Sequence, residues 1–495
     1  MMDSWKIDEI TWNDLAMERV FEKIDSAKSS VGEEYLKKVL QSPVMDEGLL
    51  AERSRRAEYL SEDTGVCTRL DKVFQELGKT KKLSLYDYIF RFHEVKSSGN
   101  GIHFLLIALL VASIVLIFVK PVIGIIFLVV MFAVNIGSYF RYKAGIESYF
   151  MCFKYIVRML RAASRIVKIE GAAEGPFGTL CETLAVDSQE LAPLKRGSFL
   201  LTNSVSGSLV DVVMDYVRML FHVDIIYFNR VRDLAAEKAD VIDQLFCTLG
   251  EIELAVCVCR YRAGLQTWCR PEFSQMEGAG HLSLSVRDMY HPLTRRVVYN
   301  DLDTQNSILL TGSNASGKST FLKQIAINQI LAQTIHTCLA GTFRTGFFRV
   351  LSSMALSDNI LGNESYFIVE IKSLKRIVDA AADENCRVPV MCFIDEVLRG
   401  TNTKERIAAS SQILKALSAM NVLCFAATHD IELTQLLDGC MENYHFEERI
   451  EGNDVTFDYK LHKGPSITRN AIKLMEVYGF DPAVTKEAFR LSETL

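Results

Sequence analysis

Twelve cysteines are spread along this 495-residue chain without one paired Cys-x-x-Cys and matching histidine, so no structural metal is expected from them. Cys257 and Cys259 stand two apart in an apolar helical stretch, and Cys386, Cys392 and Cys424 fall in or near buried segments. They read as reduced core thiols of a cytosolic catalytic portion. The first 25 residues are amphipathic and acidic and lack the apolar centre of a cleavable signal peptide. Excess positive charge is missing too: a net charge of -6 gives no global attraction to a phosphate backbone. Local basic clusters, Arg158 to Lys168 and Arg295-Arg296, are short. Arg158, Arg161, Arg165 and Lys168 recur at helical spacing, which suits a solvated or lipid-headgroup face better than a DNA stripe. Disorder is excluded, because 49% hydrophobic content supplies ample apolar surface for two to four domains.

What the chain does have is a long uncharged run. Ile102 to Val119 is broken only by His103 and Ser113, Lys120-Pro121 follows, and Val122 to Val134 continues toward Phe140. Nearly 40 residues with a single charge, placed at the turn, exceed what a soluble helical domain hides, so a transmembrane helical hairpin is expected over 101–140. Each span is short, implying a thin or locally adapted bilayer. Lys81, Lys82, Arg91 and Lys96 precede the pair, and Arg141, Lys143, Lys154 and Arg158 follow it. The positive-inside rule then puts both termini in the cytoplasm and the turn outside.

Three apolar runs carry chemistry at their ends. Ile308 to Leu310 leads into Thr311-Gly312-Ser313-Asn314-Ala315-Ser316-Gly317-Lys318-Ser319-Thr320, a strand feeding a Gly-x-x-x-x-Gly-Lys-Ser loop that opens a helix. Backbone N–H groups from Gly312 to Gly317 can wrap phosphates, Lys318 can reach the β and γ oxygens, and the Ser319 hydroxyl can ligate Mg2+. Val390 to Ile394 reads as a strand buried on both faces and ends in Asp395-Glu396. Alone, two acids fit a helix N-terminus equally well. Paired with the upstream loop, Asp395 is expected to hold Mg2+ beside Ser319, and Glu396 to orient and deprotonate water. Val422 to Ala427 ends in Thr428-His429-Asp430, which puts His429 where it can sense a γ-phosphate at the same sheet edge.

These motifs, in this order, resemble the ATPase domain of the MutS family, the DNA mismatch-repair proteins and their relatives. Asn314 with the loop around it resembles the family's Gly-Pro-Asn-x-x-Gly-Lys-Ser-Thr, and Ser365-Tyr366-Phe367-Ile368-Val369-Glu370 resembles Ser-Thr-Phe-Met-x-Glu. Asp395 to Thr403, with Arg399-Gly400-Thr401, resembles Asp-Glu-Ile-Gly-Arg-Gly-Thr-Ser-Thr, and Ala427-Thr428-His429 with Glu432-Leu433-Thr434 resembles Ala-Thr-His-x-x-Glu-Leu-Thr. His291-Pro292, Asn300-Asp301 and the segment Tyr459 to Asn470 with Gly464 sit where the family has counterparts. Earlier, Ile24-Asp25 through Gly32 to Arg53, and Leu249-Gly250-Glu251 through Cys269 to Phe273, resemble the two ends of its helical core. Ser313 replaces a usual Pro, Ser316 a usual Gly and Leu398 a usual Gly; none removes a phosphate or Mg2+ ligand.

The resemblance implies an α/β P-loop NTPase of the ABC-like MutS C-terminal ATPase type, preceded by an all-α MutS-core-like lever domain interrupted by the transmembrane hairpin. The expected plan is a first lever segment over 1–100, the hairpin over 101–140, a second lever segment over 141–275, and the ATPase with dimerisation helices over 276–495. It also implies ATP and Mg2+ as ligands and a homodimer in which Ser365 acts on nucleotide held by the other protomer. Tyr299 and Tyr459 stand near points where relatives stack a side chain on adenine. The family's mismatch-reading domain is expected to be absent: Phe92-His93-Glu94 satisfies its Phe-x-Glu letters but stands beside the membrane run. The DNA clamp is expected to be missing or reduced, and a nuclease-like appendage is not expected. Two functions stay open, an ATPase engaging DNA at the membrane or an ATP-driven membrane regulator. A transporter fits least, since no charge marks a path within the spans.

Overall fold

The computed structural model describes residues 5–80, 99–195, 209–274, 282–313, 316–354, 366–383, 386–398, 401–451, 454–466, 475 and 479–492. Expectations resting on Lys81, Lys82, Arg91, Phe92, His93, Glu94, Lys96, Asn314, Ala315, Ser365, Arg399, Gly400 and Asn470 lie outside these residues. In chain order the helices are α1 (Glu9–Asp14), α2 (Met17–Ile24), α3 (Ser30–Gln41), α4 (Glu47–Glu62), α5 (Thr64–Leu77), α6 (Gly101–Val119), α7 (Pro121–Ile166), α8 (Gly178–Glu190), α9 (Ala192–Lys195), α10 (Leu209–Phe221), α11 (Val223–Glu237), α12 (Ala239–Ala263), α13 (Lys318–Ile335), α14 (Tyr366–Ala381), α15 (Thr403–Ser418), α16 (Glu432–Leu436) and α17 (Pro482–Ser492). The strands are β1 (Glu272–Phe273), β2 (Leu284–Met289), β3 (Asn300–Thr304), β4 (Ile308–Thr311), β5 (Thr342–Thr345), β6 (Arg349–Ser353), β7 (Val390–Asp395), β8 (Val422–Ala427), β9 (Glu442–Glu451) and β10 (Asp454–Lys463). These elements form two units. One comprises Met1–Asp25, Lys37–Arg55 and Arg260–Leu495, the other Ser26–Leu36 and Arg56–Cys259.

The second unit is helical throughout its described residues. Val66, Leu70, Val73, Phe74 and Leu77 recur at helical spacing, so α5 buries one stripe; the Asp63 carboxylate caps it by accepting from the Val66 N–H at 3.0 Å. That stripe packs with Phe153, Leu160 and Ile166 of α7, Leu184 of α8, Phe228 of α11 and Phe246 of α12. Burying each such large side chain contributes roughly 1.5–3 kcal/mol.

Helices α6 and α7 pack along one another as a hairpin. Pro121 opens α7, where its missing N–H costs nothing. A Cβ at Gly124 would lie 2.4 Å from the Ile117 nitrogen, so glycine there lets the two helices close. Phe104, Leu105, Val115, Phe118, Val122 and Val129 face outward, Phe118 at 86% exposure, whereas His103 and Ser113 are fully buried. Gly101–Val119 and Pro121–Glu147 are long and apolar enough to cross a membrane. The α7 helix does not end with the apolar run near Phe140; it continues for 46 residues in all because Phe150 to Ile166 supply a second, buried face. At its base His103 Nδ1 lies 2.8 Å from His222 Nδ1, His222 Nε2 lies 3.0 Å from the Asn135 carbonyl, and the Tyr139 hydroxyl donates to Asp224 at 2.9 Å. The polar residues interrupting the hairpin therefore face protein partners.

In the first unit a six-stranded sheet runs β10-β9-β4-β8-β7-β6, parallel from β9 to β6, with β10 antiparallel at the edge. A smaller sheet runs β1-β5-β2-β3. Leu309, Cys392, Ile394 and Ala426 turn one face of the large sheet toward Leu374 and Ile377 of α14 and Leu414 and Leu417 of α15. Phe393 and Phe425 stack at 5.2 Å between centroids on alternate positions. Helix α13 is buried along nearly its whole length. Its amides stitch the neighbouring loops: Asn328 Oδ1 accepts the Leu339 N–H at 2.6 Å, and Gln333 exchanges two bonds with Phe348 at 3.1 Å. From the start of the chain, Asp14 accepts the Ser352 hydroxyl at 2.7 Å and the Met354 N–H at 2.9 Å, closing the end of β6.

All twelve cysteines are free thiols, and Cys152, Cys181, Cys257, Cys338, Cys392 and Cys424 are buried.

Candidate functional site

Strands β4, β8 and β7 lie side by side and parallel, so their carboxyl ends open on one sheet edge. Asp395 is in register with Ala427, and the next N–H, of Glu396, donates to the Ala427 carbonyl at 2.9 Å. That bond turns Glu396 into the left-handed region at φ 59°, where non-glycine residues are uncommon and cluster at functional sites. Its carboxylate Oε1 lies 2.6 Å from His429 Nε2. The His429 turn is itself fixed: Arg406 grips Asp430 with two bonds of 2.8 and 2.5 Å, and the Asp430 N–H donates to Thr428 Oγ1 at 3.0 Å. Leu398, where relatives carry glycine, also sits at φ 59° and is buried. The glycine preference at that position is thus a backbone one.

The loop between β4 and α13 is built from the same edge. Gly312 has φ 140°, and a Cβ there would come within 2.8 Å of the Phe446 carbonyl; Gly317 has φ 111°, and its Cβ would meet the Tyr459 ring at 3.1 Å. Both glycines are required by conformation and by space. Lys318 is buried, its ammonium donating to the Gly312 and Ser313 carbonyls at 2.7 and 2.8 Å. Ser313 Oγ donates to the Glu448 carboxylate, a partner that proline could not have. Ser316 is buried, and its hydroxyl finds no hydrogen-bond partner among the described residues. Ser319 and Thr320 are exposed at the first turn of α13, where helix N–H groups favour an anion.

Beside Gly317 and Thr320 opens a cavity of about 290 Å³, walled by Phe321, Phe446, Tyr459 and His291. Phe321 and Phe446 meet edge to face at 5.6 Å. Tyr459 reaches the cavity because the β9/β10 register shifts between Phe457 and Leu461 and puts it at φ 56°, with its carbonyl accepting from Asn300 at 3.1 Å. Tyr299 does not line the cavity; its ring packs on Tyr290 at 5.7 Å. Burial pushes His291 down to about 4, with Lys323 and Lys23 adding repulsion, so it is neutral. Its Nδ1 accepts the Leu293 N–H at 3.0 Å, which leaves the proton on Nε2.

Asp395, Glu396 and His429 thus stand at the ends of the adjacent strands β7 and β8, Lys318 opens α13 across the loop that follows β4, and Tyr459 stands beside that loop. Glu448, Arg406, Asp430, Phe446 and His291 join them without having been singled out as site residues. Of these, His291 and Asp430 stood in motifs read from the sequence, the His-Pro step ahead of β3 and the Thr-His-Asp turn after β8.

The family model for MutS domain V matches residues 308–495. The human (Homo sapiens) MutS protein homolog 4 is 27% identical over 311 residues, covering 58% of this chain and 32% of that protein. The DNA mismatch repair protein MutS of Thermus aquaticus is 27% identical over 275 residues, 54% of this chain and 32% of that one. The protein of the same name from Natronomonas pharaonis is 29% identical over 275 residues, 53% of this chain and 31% of that one. The match spans about a third of the length of these relatives, 32%, 32% and 31%.

Proposed function

This chain belongs to the MutS family, and from that premise we propose that it is a membrane-anchored ATP hydrolase whose turnover is coupled to DNA. The observation that carries the reading is the meeting of the Lys318 loop, Asp395, Glu396 and His429 at one sheet edge. A polyphosphate suits the loop: two glycines leave its backbone uncovered by side chains, a buried ammonium bonds to its carbonyls, and the Ser316 hydroxyl has no hydrogen-bond partner among the described residues. The Ser319 hydroxyl and the Asp395 carboxylate, both hard oxygen donors, would hold Mg2+, which would supply charge neutralisation to the phosphates. Glu396 takes the proton of the attacking water, and His429 orients that carboxylate and contacts the γ-phosphate. Phe446 and Tyr459 accept the adenine face, with the His291 Nε2–H as a donor at the cavity wall.

Two such sites form in a homodimer, each completed by Ser365 of the other protomer. The α6/α7 hairpin spans the bilayer with its Lys120 turn outside and both termini and the ATPase inside. Coupling to DNA is supported by the names of the relatives, DNA mismatch repair proteins. A second reading, an ATP-driven membrane regulator without DNA, is favoured by the net charge of -6 together with the exposed apolar hairpin. Steady-state ATPase of the full chain in nanodiscs separates the two, with Lys318→Ala as blank and with duplex and branched DNA across a salt series. Stimulation that fades with salt and is lost in the blank supports the DNA reading. Turnover indifferent to every DNA moves the function to the membrane, and no turnover above the blank refutes hydrolysis.

A further inference from the structure

We propose that the flank of the α6/α7 hairpin is a binding site for one anionic phospholipid, whose phosphate is held by Arg141; the inference rests on the membrane reading of that hairpin. A groove of about 970 Å³ runs along α7, with Ile102 and Leu106 of α6 as its second wall. The α7 wall is one stripe from Val134 to Tyr149, its members repeating at helical spacing. Gly137 and Gly145 form the floor on either side of Arg141, and a Cβ at either would meet nothing within 4 Å. They differ in this from Gly124, whose missing side chain is used by helix closure. The space above the two floor glycines is left open to a ligand.

Depth and charge say which ligand. The uncharged stretch from Pro121 to Phe140 is about 20 residues, which at about 1.5 Å each covers the roughly 30 Å hydrocarbon core. Arg141, the first charge after it, falls where acyl chains give way to headgroups. The deep end of the groove is apolar, with Leu106 and Val134; the Arg141 guanidinium and the Tyr142 ring stand at its middle, at the depth of the headgroups, and Gly145, Ile146 and Tyr149 continue it beyond the hydrocarbon core. Arg141 is exposed and has no acidic partner among the described residues, whereas nearby Lys143 is engaged by Asp224 at 3.3 Å. A planar guanidinium matches phosphate oxygens in pairs. A second copy seated symmetrically on the same groove would bring Arg141 toward Arg141, without an acid to offset either charge.

The test is native mass spectrometry of the full chain released from nanodiscs made of equal phosphatidylcholine and phosphatidylglycerol. One phosphatidylglycerol should stay with each protomer; Arg141→Ala should lower its retention about fivefold, the scale of one basic residue at a charged surface. Gly137→Leu, which fills open space, should lower it as well. Both variants should stay with the membrane in alkaline carbonate. Equal retention by wild type and both variants, or no preference for phosphatidylglycerol, overturns the site while leaving the hairpin's membrane role intact. Oxidative cross-linking of Gly137→Cys between copies gives the groove to a second protomer and also overturns it. A wild-type chain stripped from membranes by carbonate overturns the membrane reading and the lipid site together.

Discussion

Glu396 is held by three constraints at once: a left-handed backbone, a bond from its N–H to β8, and contact of its carboxylate with His429 at 2.6 Å. A side chain fixed so tightly at a strand end suits a base that must meet water in one geometry. Glu396→Ala should retain ATP while hydrolysing it at least about 100-fold more slowly, the scale of general-base loss. Single-turnover hydrolysis beside equilibrium ATP binding checks this, and unchanged turnover refutes the role. His291 makes a second residue-scale prediction. Its folded value of about 4 lies below the ordinary 6.5, so its contribution to stability is complete above 6.5 and is lost as pH falls toward 4. The full loss is at most about 3 kcal/mol. Thermal melts of wild type and His291→Gln at pH 7 and 5 should show the variant losing less on acidification; equal losses would count against a buried neutral histidine. Lys318, Asp395, Glu396 and His429 were legible in the sequence because each is tied to a local pattern, an apolar strand with chemistry at its end. Arg406 and Glu448 were not, since they reach the site through the fold, 24 residues from Asp430 and 135 from Ser313.

At the scale of elements, periodicity revealed where apolar faces lie but not where polar residues are buried. Along α13, Gln324, Asn328, Gln329 and Gln333 are buried, and read alone they suggest a solvated face. Their partners are loop and strand backbones together with one another and the Thr345 hydroxyl, and in isolation amides do not announce which group they will meet. His103 behaves likewise: it interrupts an apolar span in sequence, and its partner His222 is 119 residues away. The resemblance at Leu249-Gly250-Glu251 gains a physical meaning from the same unit. A Cβ at Gly250 would lie 2.3 Å from Tyr35 Cγ, while Glu251 receives the Tyr35 hydroxyl at 2.7 Å and Arg56 at 3.1 Å. Helices α3 and α12 are therefore locked by a ring resting on glycine, beside a buried ion pair. Gly250→Ala gains about 1 kcal/mol of helix propensity, yet overpacking a closed contact costs about 1–3 kcal/mol and forces Tyr35 off its carboxylate partner. The variant should melt below wild type in detergent. A higher melting temperature would mean that Tyr35 yields freely.

At the scale of the whole molecule, the chain carries an apolar hairpin and a MutS domain V, and the proposed function demands two protomers. Ser365 carries that demand through the family resemblance, and a twofold dimer places each copy's segment against its partner's nucleotide. Lys318→Ala removes a protomer's own phosphate grip, while Ser365→Ala removes what it lends. Either variant alone should be inactive, because every site in its homodimer lacks one part. Mixing the two in equal amounts before reconstitution pairs half of the protomers with the other kind, and each mixed dimer has one intact site and one doubly broken site. Turnover should then recover to about a quarter of wild type if pairing is random and the sites are independent. Sites complete within one protomer would leave the mixture no more active than the mean of its two components, and that result would dissolve the dimer requirement.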